Sequence, residues 1–121
     1  MKYYEVNDVY DGLCKIYFFR DTYECNNELY IGACYLDEDE NADEDENFYA
    51  DISINIVGTY LKENEIVASN DSSDLIEKMI KDGLLEDTNE IVLSGFGIYR
   101  KVRLTEKFKE YEESEDWLWL S

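Results

Sequence analysis

The alternation of apolar and polar residues along the chain predicts an antiparallel β-sheet of about five to six strands. The predicted strands cover 2–6, 13–20, 28–36, 48–57, 90–93 and 98–104. The clearest alternation is in 48–57, where every second residue from Phe48 to Ile56 is apolar and is expected to face inward. The residues between them, Tyr49 first, are expected to face outward, which is typical of a strand with one solvated face.

One main helix is predicted at about 74–81, where four apolar residues form a single stripe. These residues are Leu75, Ile76, Met79 and Ile80. Asp74 and Glu77 have the spacing of a capping box, and Gly83 is expected to end the helix. A short C-terminal helix is expected after Thr105. The predicted fold class is therefore α+β, with an antiparallel sheet and one main helix packed on a face.

The length and composition favour a single domain that spans residues 1–121. The chain has 121 residues, of which 45% are hydrophobic, and a net charge of −19. Such a charge repels nucleic acid and anionic membranes. The expected partners are cations, basic peptides or proteins with positively charged grooves.

The charge is concentrated in one acidic run, 37–46, which holds eight carboxylates in ten residues. They are Asp37, Glu38, Asp39, Glu40, Asp43, Glu44, Asp45 and Glu46. The run lies between two predicted strands, so we expect it in a surface loop at 37–47 that connects a hairpin-like pair. Like charges this close repel one another, and folding does not require them. The charge therefore indicates a binding role.

Three interpretations of the acidic run remain open. Calcium binding is one, because Asp37, Asp39, Asn41, Asp43 and Asp45 follow the ligand spacing of an EF-hand. That match fails where the loop needs glycine and finds Ala42, and where it needs glutamate and finds Phe48. The second interpretation is a solvated loop that only keeps the protein soluble. No cofactor is predicted.

The third interpretation is mimicry of a nucleic-acid backbone. An extended ten-residue segment spans about 33 Å. Eight charges over that length give about one per 4 Å, close to the 3.4 Å per phosphate of one DNA strand. Outward-facing tyrosines such as Tyr49 would supply apolar anchors.

A second acidic cluster lies in the acidic C-terminal segment, 105–121. Its members are Glu110, Glu112, Glu113, Glu115 and Asp116. If the fold brings this cluster beside the acidic run, it extends the binding surface.

The chain offers little for catalysis. It has no histidine, the side chain that most often acts as a general base near neutral pH, so we expect no enzymatic activity. Three cysteines, Cys14, Cys25 and Cys34, show neither a close pair nor the spacing of a zinc site. With no signal peptide or membrane span in the sequence, a reduced, cytoplasmic protein is expected.

Three short segments resemble an uncharacterised family of small acidic proteins carried on mobile elements of gut Firmicutes. They are FYADISINI at 48–56, IVASND at 66–71 and SGFGIY at 94–99, and the resemblance covers roughly 28–104. In size, charge and lack of catalytic residues the chain also resembles anti-CRISPR and antirestriction proteins, many of which occupy the DNA-binding surface of a nuclease.

These observations predict an inhibitor that binds the positively charged nucleic-acid groove of a bacterial defence nuclease, a CRISPR effector above all. An immunity protein against a toxin nuclease is the alternative, since it would use the same electrostatics. A calcium-responsive binding module is an alternative of another class. No direct binding of nucleic acid and no membrane contact are expected, and homodimer formation stays open.

Overall fold

The computed structural model describes residues 2–8, 12–36 and 48–113. Within these ranges eight strands form two four-stranded sheets, in the orders β1-β2-β3-β4 and β5-β6-β8-β7. The strands are β1 (Tyr4–Asp8), β2 (Gly12–Thr22), β3 (Leu29–Tyr35), β4 (Phe48–Asp51), β5 (Ser53–Ile54), β6 (Glu65–Ala68), β7 (Leu85–Ser94) and β8 (Gly97–Leu104). All neighbouring strands in these two sheets pair antiparallel. With one helix, α1 (Ser73–Lys81), this confirms the predicted α+β class.

The segment predicted as one strand at 48–57 is divided between the two sheets at Ile52. Its first part, β4, pairs with β3, and its second part, β5, pairs with β6. The Ile52 N–H donates to the carbonyl of Ile31 at 3.0 Å, and its carbonyl accepts the N–H of Ser69 at 2.9 Å. Ile52 is fully buried. It therefore ties the two sheets together at the point where the chain changes partner.

A β-bulge at Tyr49 changes the faces expected for this segment. Ala33 pairs with Ala50 and Cys34 pairs with Phe48, so Tyr49 is the extra residue on β4. The ring of Tyr49, expected to face outward, packs against the core, whereas Phe48 is 43% exposed.

Helix α1 agrees with its prediction except at its start. Its apolar stripe is buried through Ile76 and Met79. The expected capping box does not form, because the residue before the helix is Ser72 and no side chain caps the first turn. The hydroxyl of Ser72 instead donates to the carbonyl of Asp51 at 2.7 Å, which holds the helix start against β4.

The end of α1 is set by Gly83, as predicted. Gly83 has a φ of 84°, a conformation that glycine adopts without strain. The N–H of Leu84 reaches the carbonyl of Met79 at 2.8 Å, and that of Gly83 reaches Ile80 at 3.1 Å. These two bonds form a Schellman motif and turn the chain sharply into β7.

The core lies between the sheets, α1 and a C-terminal 3-10 helix, Lys107–Tyr111, which confirms the expected short C-terminal helix. Phe18 and Phe108 are both fully buried, with their ring centres 5.0 Å apart. This contact fixes the 3-10 helix on the core face of β2.

Candidate functional site

The acidic run is held at both ends by one hairpin. It connects β3 and β4, which pair antiparallel, as predicted. At its base the rings of Tyr35 and Tyr49 meet edge to face at 4.9 Å, and the N–H of Leu36 donates to the carbonyl of Lys15 at 2.8 Å. The run itself, Asp37, Glu38, Asp39, Glu40, Asp43, Glu44, Asp45 and Glu46, lies outside the described residues. The strands beside it therefore define where this charge is attached.

The negative charge is distributed unevenly between the described residues and the rest of the chain. Nineteen of the thirty Asp and Glu and all eleven Lys and Arg belong to the described ranges, which thus carry a net charge of −8. The remaining residues carry eleven carboxylates with no cation, a net charge of −11.

Most of the cations are engaged within the fold. Seven of the eleven Lys and Arg form ion pairs with carboxylates of the described chain. They are Lys2, Arg20, Lys78, Arg100, Lys101, Arg103 and Lys109. These seven side chains are therefore already neutralised within the described part of the chain.

The basic cluster on β8 illustrates this internal neutralisation. Arg100 pairs with Asp87 at 2.5 Å and with Glu77 of α1. Lys101 pairs with Glu90 at 3.3 Å. Arg103 lies 3.6 Å from Glu86 and 3.7 Å from the buried carboxylate of Glu65. These ion pairs neutralise the strongest basic feature of the chain.

Two members of the second acidic cluster have structural partners. Glu110 pairs with Lys2 at 3.0 Å, and this hydrogen bond raises the pKa of Lys2. Glu112 pairs with Arg20, and its side chain is only 12% exposed. Glu110 thus ties the 3-10 helix to Lys2, and Glu112 ties the residue that follows this helix to Arg20 of β2.

The other members differ in their position. Glu113 donates its N–H to the carbonyl of Phe18 at 2.6 Å, and its residue is exposed. Glu115 and Asp116 lie outside the described residues. Glu113 is thus the described member of the cluster best placed for contact with a partner.

The second cluster does not lie directly beside the strand that follows the acidic run. Glu112 pairs in parallel with Phe18, and Phe18 is joined across β3 to Ala50 on β4. Three strand spacings separate Glu112 from Ala50, which amounts to about 14 Å. A partner in contact with both acidic segments must therefore cover this width of the sheet.

A compact polar cluster surrounds Asp82 at the end of α1. Its carboxylate accepts hydrogen bonds from Lys78 at 2.8 Å and from the hydroxyl of Tyr4 at 2.6 Å. These two bonds lower the pKa of Asp82 below its ordinary value. Burial, followed by the bond to Asp82, raises the pKa of Tyr4. The ammonium of Lys78 also lies 4.2 Å from the centre of the Tyr4 ring. This cluster joins α1 to β1 and serves the fold.

An exposed apolar surface that the sequence-based reasoning did not single out lies at the end of the β7–β8 hairpin. We call it the apolar tip. Its members are Ile91, Leu93, Phe96 and Ile98, which are 60%, 69%, 110% and 62% exposed. The signal in the sequence is charge rather than hydropathy, since 91–99 contains no charged residue in a chain that is 34% charged.

No group of three or more His, Cys, Asp or Glu within the described ranges is arranged to hold a metal ion. The calcium interpretation concerns 37–48, of which only Phe48 is described. Comparison of the chain with protein-family models, with curated protein sequences and with solved structures finds no match. In the part of the chain that the structure describes, no helix is long and apolar enough to cross a membrane.

Proposed function

We propose that this protein inhibits a bacterial defence nuclease, above all a CRISPR effector, by occupying its positively charged nucleic-acid groove. The proposal depends mainly on one observation. Most Lys and Arg side chains are paired with carboxylates inside the fold, whereas the carboxylates of the acidic run have no cation on their own hairpin. Seven of the eleven cations form ion pairs inside the fold, while the eight carboxylates of the acidic run are attached to the β3–β4 hairpin, 29–51, which contains no Lys or Arg. Negative charge of this density attracts a basic groove and repels nucleic acid.

The attachment of the acidic run to paired strands supports the same function. Both ends belong to one antiparallel hairpin, so the run begins and ends beside paired strands. A tethered run loses less conformational entropy on binding than a free tail of equal charge. The carboxylates would replace phosphates, and the cations held near them would be released on binding, as they are when a protein neutralises DNA phosphates.

The second cluster would take two roles. Glu110 and Glu112 hold 110–112 in place through Lys2 and Arg20. Glu113, Glu115 and Asp116 would extend the contact to the partner. Tyr49 would support the base of the acidic run through its contact with Tyr35.

The test is capture of partners from a bacterial lysate that contains CRISPR nucleases, with washes at about 100 and about 500 mM salt. We expect a nuclease that is retained at low salt and released by DNA or by high salt. Recovery of a toxin nuclease would identify an immunity protein instead. Recovery of no basic protein would contradict both.

A charge-reversal variant tests the acidic run itself. Asp43→Lys, Glu44→Lys, Asp45→Lys and Glu46→Lys together should abolish inhibition without unfolding the protein. The matched control reverses four exposed carboxylates elsewhere, Glu5, Glu24, Glu63 and Asp71. Both variants change the net charge equally, so inhibition that survives in the first variant would refute the role of the run.

A further inference from the structure

The apolar tip continues the core face of the β7–β8 hairpin beyond the part that α1 covers. Val102 and Leu104 of β8 are buried at 0% and 6% exposure, and Ile98 on the same face is 62% exposed. Leu93 pairs directly with Ile98, so both side chains lie on this face. The same sheet surface is therefore buried at one end and open at the other.

The strand that carries the tip is also an edge strand. Among the described strands β7 pairs with β8 alone. Its first half is interrupted by a bulge between Asp87 and Glu90, where Asn89 has a φ of 63°. Such bulges block the pairing of edges. The second half, from Glu90 to Ser94, has neither a bulge nor a proline nor a lysine.

Within the described ranges, the backbone groups of this half that have no partner belong to the exposed apolar residues. Ser94 and Gly97 flank the two-residue turn at Gly95 and Phe96, so they exchange both of their backbone hydrogen bonds. Hydrogen-bonded pairs alternate along an antiparallel ladder. The N–H and C=O groups of Leu93 and Ile91 consequently point away from β8, toward the open edge.

We propose that the open half of β7 pairs antiparallel with the same strand of a second copy, joining two sheets into one. Residues 91–99 lack charge, so they do not fit the basic groove assigned to the acidic run. A second copy offers the same neutral, apolar surface and the same unpaired edge. This match is the self-complementarity that a twofold dimer requires.

One register pairs all the outward-pointing backbone groups and keeps carboxylates from lying opposite one another. It places Ile91 opposite Leu93 of the second copy and Val92 opposite Val92. The four unpaired backbone groups of each copy then form hydrogen bonds across the edge. Glu90 faces the neutral Ser94, so no carboxylate lies directly opposite another.

The size of the surface limits the strength of this dimer. Four large side chains at this exposure present on the order of 500 Å² of apolar surface, within the range of functional patches. That is less than the roughly 800 Å² per partner of a standard interface. We therefore expect a dissociation constant of about 10–100 µM.

Sedimentation of the full chain tests the proposal. Because a net charge of −19 repels a second copy, dimerisation should strengthen several-fold between about 50 and about 500 mM salt. The double variant Ile91→Lys, Leu93→Lys should weaken it by roughly tenfold or more, since edge lysines block strand pairing. The control, Leu13→Lys with Val57→Lys, changes two side chains that are 69% and 73% exposed elsewhere. It should dimerise like the parent protein.

Cross-linking tests the register. In a Cys25→Ser background, Val92→Cys should form a disulfide-linked dimer on mild oxidation, since directly opposed residues without mutual hydrogen bonds lie about 4.5 Å apart between Cα atoms. Ser94→Cys on the same strand should not. A far-ultraviolet circular dichroism spectrum like that of the parent protein would show that each variant folds.

Several results would overturn the proposal. They are a monomer at all concentrations and salts, a dimer that survives Ile91→Lys with Leu93→Lys, or cross-linking through Ser94→Cys instead of Val92→Cys. Use of the free edge by a strand of another protein would also overturn it. Nuclease capture weakens as salt rises, whereas the dimer strengthens, so failure of this inference and failure of the proposed function are distinguishable.

Discussion

The β3–β4 and β7–β8 hairpins have the same antiparallel pairing, but their connections differ in length and charge. Twelve residues, 36–47, separate Tyr35 from Phe48, and eight of them are carboxylates. Two uncharged residues separate Ser94 from Gly97. Antiparallel pairing therefore does not determine the length or charge of the connection. In this chain one connection is long and acidic, and the other is short and uncharged.

The difference shows how one small chain can carry two unlike surfaces. Salt screens charges over about 8 Å at physiological ionic strength, so it weakens attraction to the acidic end. The same screening reduces repulsion between two apolar tips. Partner binding that strengthens with salt, or dimerisation that weakens with salt, would contradict the roles proposed for the two hairpin ends.

The largest expected effect comes from neutralising the acidic end. Replacing its eight carboxylates by Asn and Gln should weaken binding to the captured nuclease by on the order of 1,000-fold at low salt, at about half a kcal/mol for each charge. Competition with DNA for the nuclease measures the loss.

The same variant should dimerise more strongly, because neutralisation lowers the repulsion between copies. Conversely, Ile91→Lys with Leu93→Lys should leave nuclease binding within about threefold of the parent value, a difference below 1 kcal/mol. Loss of both activities in either variant would show that the two ends are not independent.

The next effect concerns Ile52, through which the two sheets are joined. Ile52→Ala should lower the free energy of unfolding by about 2–5 kcal/mol, because the side chain is fully buried where both sheets meet. Urea unfolding followed by fluorescence and by circular dichroism measures the change. Val57→Ala, at a residue 73% exposed, should stay within about 0.5 kcal/mol.

A smaller effect is expected at Glu112. Its substitution tests which carboxylates stabilise the fold and which are available to bind a partner. Glu112→Gln should cost about 1 kcal/mol, because the carboxylate is largely buried against Arg20. Glu110→Gln should cost less, since its pair with Lys2 is exposed. Equal losses in thermal unfolding would argue against a special role for the Arg20 pair.

The smallest effect is the acid dependence of Asp82. Its folded pKa is lowered by bonds from Lys78 and Tyr4, so its stabilisation is complete above its unfolded pKa of about 3.9 and is lost as the pH falls through the folded value. The melting temperatures of the parent protein and of Asp82→Asn should therefore converge below about pH 4. A constant difference from pH 7 to pH 2.5 would contradict this assignment.

Local patterns predicted those elements whose limits are set locally. Helix α1 was predictable because its apolar stripe and Gly83 are both visible in the sequence. The division of 48–57 was not, because a bulge at Tyr49 and a change of partner at Ile52 depend on distant strands. Strand β6 was missed for a similar reason, since all four of its residues are buried, Glu65 included, and no alternation marks it.

The acidic run and the apolar tip also differ in how far the sequence predicted them. The acidic run was visible from the sequence alone. The apolar tip was not, because its exposure depends on where α1 lies over the hairpin. The structural use of Glu112 likewise follows from its approach to β2, which no local pattern shows.

The two-residue turn at Gly95 and Phe96 also bears on the order in which the chain folds. It makes β7–β8 the most local strand pairing of the second sheet, and hairpins of this kind form within about 1–10 µs. Strand β6 must then find β8 across 28 intervening residues, a slower search. Until it arrives, the hairpin exposes both of its edges. The apolar tip would thus also be the first place where partly folded chains could pair wrongly. The net charge of −19 would oppose such contacts.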